Sequence, residues 1–266
     1  MGAELEINFG HIFNEGGNDM SIQNEHDLLA LQRIGRIVAE AREAMLQAVR
    51  AGITSKELDR IGGDILAKYG ARSAPQVTYD FPGQTCISVN HVVAHGIPDG
   101  TVLKEGDIVN VDVSAELEGY FADTGASVVV GQGEPVKQAL CKCAEESLYK
   151  ALDSARAGSK LSQIGRIVHN EAKAKGFTVV KNLTGHGIGK SLHEEPTDIL
   201  NYYDKWDKRL LTDGLVLAVE TFISTGAEYV QDGKDGWALV TPDRSYTAQY
   251  EHTVVITRGK PIILTA

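Results

Sequence analysis

Short stretches of the chain recur in a fixed order, and this repetition constrains the fold more than any other feature. Arg50-Ala-Gly52 returns as Arg156-Ala-Gly158, 106 positions on, and the same interval relates Arg60-Ile61 to Arg166-Ile167 and Gly70 to Gly176. Farther along, His95-Gly-Ile97 has a counterpart in His186-Gly-Ile188, LKEGDIVNVDV (103–113) in LTDGLVLAVET (211–221), and ADTGASVVV (122–130) in YEHTVVIT (250–257). Each match is short, but together they describe one supersecondary unit used twice. The unit reads helix, helix, strand with an HGI turn, then a hairpin bearing two acids. An α+β fold is therefore predicted, with two pseudo-symmetric halves (about 26–132 and 133–266) packed as a single domain. The acids should converge between the halves.

Local signals agree with this plan. From His26 the apolar residues of LLALQRIGRIVAEAREAMLQAVRAG recur at helical spacing up to Gly52. Thr54 with Glu57 has the form of a capping box opening the next helix. Residues 1–25 are rich in Gly and Asn without a helical period, and are expected to form a loose N-terminal extension.

Charge and composition exclude several classes. A net charge of −10 argues against a broad nucleic-acid footprint, so no sequence-specific nucleic acid is expected as a partner. No Lys or Arg precedes Arg33, and no apolar run approaches the ~20 residues of a membrane span. A cytoplasmic protein with no membrane partner is the expectation. The cysteines are Cys86, Cys141 and Cys143, an odd number that speaks against a disulfide framework. Cys141 and Cys143, two apart in a helical run, do not face each other.

The acids carry the chemical signal. Asp112 lies in DIVNVDVSAEL and Asp123 in GYFADTGASVVVG, β-rich runs joined by a short Glu-Gly turn. A two-residue loop puts them on one face, opposite or diagonal to each other. Glu220 ends the apolar run LVLAV and Glu251 precedes VVIT. Carboxylates embedded in apolar strands need a proton, a base or a metal, and these strands hold no basic residue beside them. Four carboxylates and one imidazole neutralise two divalent cations, and that donor set suits Mn, Fe(II), Co or Zn. Such a pair would lower the pKa of water towards neutrality.

His186 is the candidate imidazole. It sits in TGHGIGKSLHEEP, where flanking glycines are expected to let the backbone approach a ligand closely. His193 follows seven residues later, and His95 occupies the matching HGI turn of the first half. His252 alternates to the face opposite Glu251 and is expected to be structural. GHGIGKS is not a phosphate loop, because Thr184 stands where that motif needs glycine. His193-Glu-Glu-Pro is not a zinc-protease HExxH, since Pro196 falls where a helix must continue.

CISVNHVVAHGIPDG, VNVDVSAELEGYFADTG, LTGHGIGKSLHEEP, LAVETF and DGWALVTPDRSYTAQYEHTVV together resemble the type I methionine aminopeptidases of the pita-bread fold, from about residue 26 to the C-terminus. The resemblance implies a dinuclear-metal aminopeptidase that removes N-terminal methionine from nascent polypeptides near the ribosome, preferring a small second residue and acting as a monomer. It implies that Asp123 and Glu251 bridge the metals, Asp112 ligates one, and His186 and Glu220 ligate the other. Glu220 would also shuttle the proton, His193 would meet the scissile carbonyl or the tetrahedral oxyanion, and His95 the substrate amide or leaving nitrogen. Tyr79, Phe81, Cys86, Leu192, Trp237 and Gln249 would line the methionine pocket. The backbone carbonyls of Asn90, Val92 and Thr247 would hold a monovalent cation. Thr221, Ala94 and Leu192 depart from the family's usual Pro, Cys and aromatic residues, which bears on pocket shape. The alternatives are an Xaa-Pro aminopeptidase of the same fold and a non-catalytic binding module on it.

Overall fold

The computed structural model describes residues 22–266, so the expected extension lies outside the described residues up to residue 21. The described fold reaches back past the His26 boundary. Ile22 is fully buried, and the Asn24 side chain caps α1 (Glu25–Ala48) by accepting from the Asp27 N–H. The capping box of Thr54 and Glu57 is present and opens α2 (Ser55–Lys68). Then come β1 (Arg72–Ser73), α3 (Ala74–Tyr79), β2 (Cys86–Val89), β3 (Val92–Ala94) and the hairpin β4 (Ile108–Leu117)–β5 (Tyr120–Val129).

The second half of the chain opens with α4 (Pro135–Leu152) and α5 (Ser162–Ala174). It continues through β6 (Thr178–Val179), β7 (Thr184–Gly187), β8 (Glu194–Leu200), β9 (Val216–Ser224), β10 (Gln231–Asp232), β11 (Leu239–Val240), β12 (Thr247–Val255) and β13 (Ile262–Ile263). The main sheet runs β1-β4-β5-β12-β9-β7-β8, with β2 on β4, β6 on β9 and β13 on β12. Strands β10, β11 and β3 form a small second sheet. Helix α1 packs on β4 and β5, and α4 on β9 and β12, giving two apolar cores side by side. Alternation along the strands puts one set of side chains into these cores and the other on the face away from the helices. No helix among the described residues is long and apolar enough to cross a membrane.

The repeat is visible in matched backbone bonds. After the first helix of each half, Gly52 donates to the Leu103 carbonyl at 2.9 Å and Gly158 to that of Leu211 at 2.8 Å. These glycines have φ of 91° and 86°, and nothing lies within 4 Å of a Cβ built on either, so backbone conformation alone calls for glycine there. Later in each half, Gly106 donates to Val130 and Gly214 to Ile256.

The HGI correspondence, by contrast, does not survive. Asp112 pairs with Cys86 and Asn110 with Ser88 across β4–β2, while Ala218 pairs with His186 across β9–β7. With Glu220 taken as the counterpart of Asp112, the register places His186 opposite the position of Ser88. His95 instead lies beyond β3 with φ of 55°. The tripeptide is shared, but the place in the sheet is not.

Candidate metal centre

The five expected ligands come from five adjacent strands: Asp112 on β4, Asp123 on β5, Glu251 on β12, Glu220 on β9 and His186 on β7. The β4–β5 turn is Glu118-Gly119, both at positive φ (54° and 84°), as a two-residue hairpin requires. Its register sets Asp112 opposite Gly125 and Asp123 opposite Ser114, so the two aspartates are diagonal on one face. Across β9–β12, Glu220 and Glu251 are direct partners, and His186 is one diagonal step from Glu220. The acids of the two strand pairs therefore share a face without sharing a register.

Asp123, His186 and Glu251 are buried, and one ligand atom from each lies within 4.8 Å of the others. Asp112 and Glu220 are half-buried. Burial, reinforced by repulsion from neighbouring carboxylates, pushes Asp112, Glu220 and Glu251 well above the usual carboxylate range. Asp123 rises to about 6, chiefly through desolvation. Asp123 Oδ1 is buried with no hydrogen-bond partner. Unpaired, mutually repelling carboxylates with no Lys or Arg in the lining are the donor set that divalent cations relieve, so these residues fit a metal cage.

His186 is prepared to ligate through one nitrogen. Its Nδ1 lies 2.9 Å from the Gly187 carbonyl and donates to it, leaving Nε2 as the lone-pair nitrogen. Desolvation lowers its pKa to about 4, so the ring is neutral. The flanking glycines have a packing role. A Cβ at Gly185 would lie 2.5 Å from the Ala218 carbonyl, and one at Gly187 2.3 Å from that of Glu195. They let β7 press on its neighbouring strands.

The cage lines a cavity of about 480 Å³ that also takes in Tyr79, Phe81, Cys86, His95, Leu192, His193 and Trp237. Phe81 and Trp237 meet edge-on, ring centres 5.2 Å apart. His95 and His193 reach the cavity surface, and desolvation lowers both below the ordinary histidine value. A larger cavity of about 610 Å³, around Asp27, Lys190 and Arg209, holds none of the expected ligands.

Gln249 is a correction, because it does not line the cavity. It is buried behind the carboxylates: Oε1 accepts from Asn110 Nδ2 at 2.7 Å, so Nε2 faces and donates to Glu251 at 2.9 Å and Glu220 at 3.4 Å. Phe222, absent from the expected lining, is part of it. It lies two residues beyond Glu220 on β9, so period-two alternation could have found it. Thr221 points the other way, its Oγ1 donating to the Ala144 carbonyl on α4. His252 is fully buried on the helix side, with Tyr149 Oη at 2.9 Å and Thr265 Oγ1 at 2.8 Å. Of the expected cation-binding carbonyls, that of Asn90 accepts from the Thr247 N–H at 3.3 Å, while Val92 pairs with Val240 on β11.

Comparison with known proteins places this geometry in context. The model of Metallopeptidase family M24 matches residues 30–258. The chain is 54% identical over 247 residues to methionine aminopeptidase 2 of Bacillus subtilis (strain 168), covering 92% of this chain and 99% of that one. It is 39% identical over 248 residues to methionine aminopeptidase of Escherichia coli (strain K12), covering 92% and 94%. The crystal structure of methionine aminopeptidase from Thermotoga maritima superposes with a TM-score of 0.89 at 32% identity, covering 92% and 99%.

Proposed function

The chain belongs to metallopeptidase family M24, and on that premise we propose that it is a methionyl aminopeptidase that removes the first residue of newly made proteins and peptides. Its fold is the pita-bread fold of that family. The observation that carries the reading is the five-ligand cage lining an apolar cavity, in a chain that matches methionine aminopeptidases over nearly their full length.

Asp123 and Glu251 would be shared by the two metals, with Asp112 holding one of them and His186 and Glu220 the other. Bound there, a pair of divalent cations (Mn, Fe(II), Co or Zn) supplies Lewis acidity and draws the pKa of water towards neutrality. Glu220 is the proton carrier, a half-buried carboxylate at the cavity wall whose pKa burial raises above the ordinary carboxylate range. His193, as an N–H donor, holds the scissile carbonyl and the charge that grows on it, and His95 serves the amide nitrogen. Phe81, Leu192, Phe222 and Trp237 offer an apolar surface that a flexible thioether side chain fills well.

A small second residue is preferred, since a larger one would crowd the cage. The Asn90, Val92 and Thr247 carbonyls would hold a monovalent cation. The enzyme acts as a monomer in the cytoplasm on nascent chains near the ribosome.

The test is a peptide panel with each metal in turn: Met-Ala-Ser, formyl-Met-Ala-Ser, Met-Lys-Ser, Leu-Ala-Ser and Ala-Pro-Ser. Met-Ala-Ser should be cleaved fastest and its formyl form left intact. Preference for Ala-Pro-Ser would indicate an Xaa-Pro peptidase, and no turnover with any metal a binding module.

A further inference from the structure

Tyr79 ends α3 and reaches His193 in the β7–β8 connection, joining the two halves of the chain at the cavity. Its hydroxyl lies 2.6 Å from His193 Nδ1, with the rings 5.7 Å apart and inclined at 42°. His193 Nε2 makes no hydrogen bond to the described residues, and on its other flank the ring lies 4.2 Å from that of His186, centre to centre. One nitrogen is thus engaged by protein, and the other is left for a ligand.

We propose that Tyr79 sets the tautomer of His193: the phenol donates to Nδ1, which holds the imidazole proton on Nε2, the nitrogen offered to substrate. A neutral imidazole carries one proton, and the partner of one nitrogen decides which nitrogen keeps it. A phenol O–H is a better donor than an imidazole N–H, and an imidazole nitrogen a better acceptor than a phenol oxygen. The short contact therefore runs from Tyr79 to His193. Burial raises the Tyr79 pKa, so the phenol keeps its proton.

The inference rests on the reading that His193 meets the scissile carbonyl, for which only an Nε2–H donor is useful. A bare Nε2 lone pair would repel the oxygen as charge grows on it. Tyr79 acts through His193 and is a positioning residue. At 47% exposure, its hydroxyl can be removed without opening the core.

The test uses zinc-loaded protein and two readouts. Long-range 15N–1H correlation, with the His193 signal assigned by its loss in His193→Ala, should show the proton on Nε2. Tyr79→Phe should keep its metal and a KM for Met-Ala-Ser within about threefold, while kcat falls about 10–100-fold, as for other lost orienting hydrogen bonds. In a His193→Ala background the same change should have no further effect. A proton on Nδ1 in the wild type, unchanged kcat in Tyr79→Phe, or an undiminished effect of Tyr79→Phe without His193 would overturn the proposal. Failure of the wild type to cleave Met-Ala-Ser would instead defeat the functional reading, and the tautomer signal would still decide the role of Tyr79.

Discussion

Glu220 and Glu251 are direct cross-strand partners on β9 and β12, and one amide, Gln249 Nε2, donates to both carboxylates. Like charges placed opposite each other on a sheet repel, so this pair has to be held by something outside it. Gln249 does part of that work from behind. Asn110 fixes which end of the amide faces the acids.

Gly125 makes room for this arrangement. A Cβ there would lie 2.2 Å from Gln249 Oε1, so Gly125→Ala should push the amide off Asn110 and off the carboxylates. The expected result is a folded protein with metal affinity and kcat reduced about 10–100-fold. Elemental analysis and turnover, compared with Gln249→Ala, check this. Full metal occupancy and activity in Gly125→Ala would remove Gln249 from the account.

Gly52 and Gly158 test the repeat. Both have open space where a side chain would go and both hold a left-handed backbone. Gly52→Ala and Gly158→Ala should therefore each cost roughly 1–2 kcal/mol, with metal content and turnover unchanged. Denaturant melts of the two variants should shift alike, and a large difference would mean that the two turns are not equivalent.

The cage carboxylates should make their own contribution to metal-free stability fall as pH rises. Asp112, Glu220 and Glu251 sit well above their ordinary pKa values when folded, and Asp123 sits at about 6. Between the unfolded carboxylate pKa of about 4 and these raised values, the folded state binds more protons than the unfolded state. The contribution of these carboxylates then falls with pH across that window, while the lowered pKa values of His186 and His252 act in the opposite direction up to about pH 6.5. Divalent metal should reverse the slope, because it binds the deprotonated cage. Melting curves of metal-free wild type and Glu251→Gln from pH 4 to 8 cancel the histidines common to both, and a wild-type series with manganese measures the reversal. A metal-free wild type that gains stability relative to Glu251→Gln as pH rises would contradict the account.

His193→Ala and His95→Ala should separate chemistry from metal binding. Each should lower kcat about 10²–10⁴-fold with metal occupancy near wild type. If metal loss accounts for the whole effect, these histidines belong to the cage and not to the substrate.

Most of the site was legible because strand alternation is a rigid rule. Acids at alternate positions in apolar strands, joined by a Glu-Gly turn, leave little choice of face, and the structure puts Asp112 and Asp123 on one face. What sequence could not supply was register across distant strands. The shared HGI tripeptide suggests that His95 and His186 are equivalent, yet the pairing of β2 with β4 and of β7 with β9 gives Ser88 the place that His186 holds in the other half. Gln249 shares a face with Glu251 by alternation, but whether it lines the cavity or lies behind the carboxylates depends on Asn110 of another strand. The glycines around His186 stand against neighbouring backbone carbonyls, a packing role set by strands distant in the chain.

The central claim is that the carboxylate cage works only when loaded, and metal titration of the stripped enzyme tests it most directly. Methionine release from Met-Ala-Ser should be absent without metal and rise with added Mn or Co to a plateau at roughly two ions per chain. Asp123→Ala and Glu251→Ala should stay inactive throughout. Full turnover by wild-type protein shown by elemental analysis to be metal-free would contradict the account.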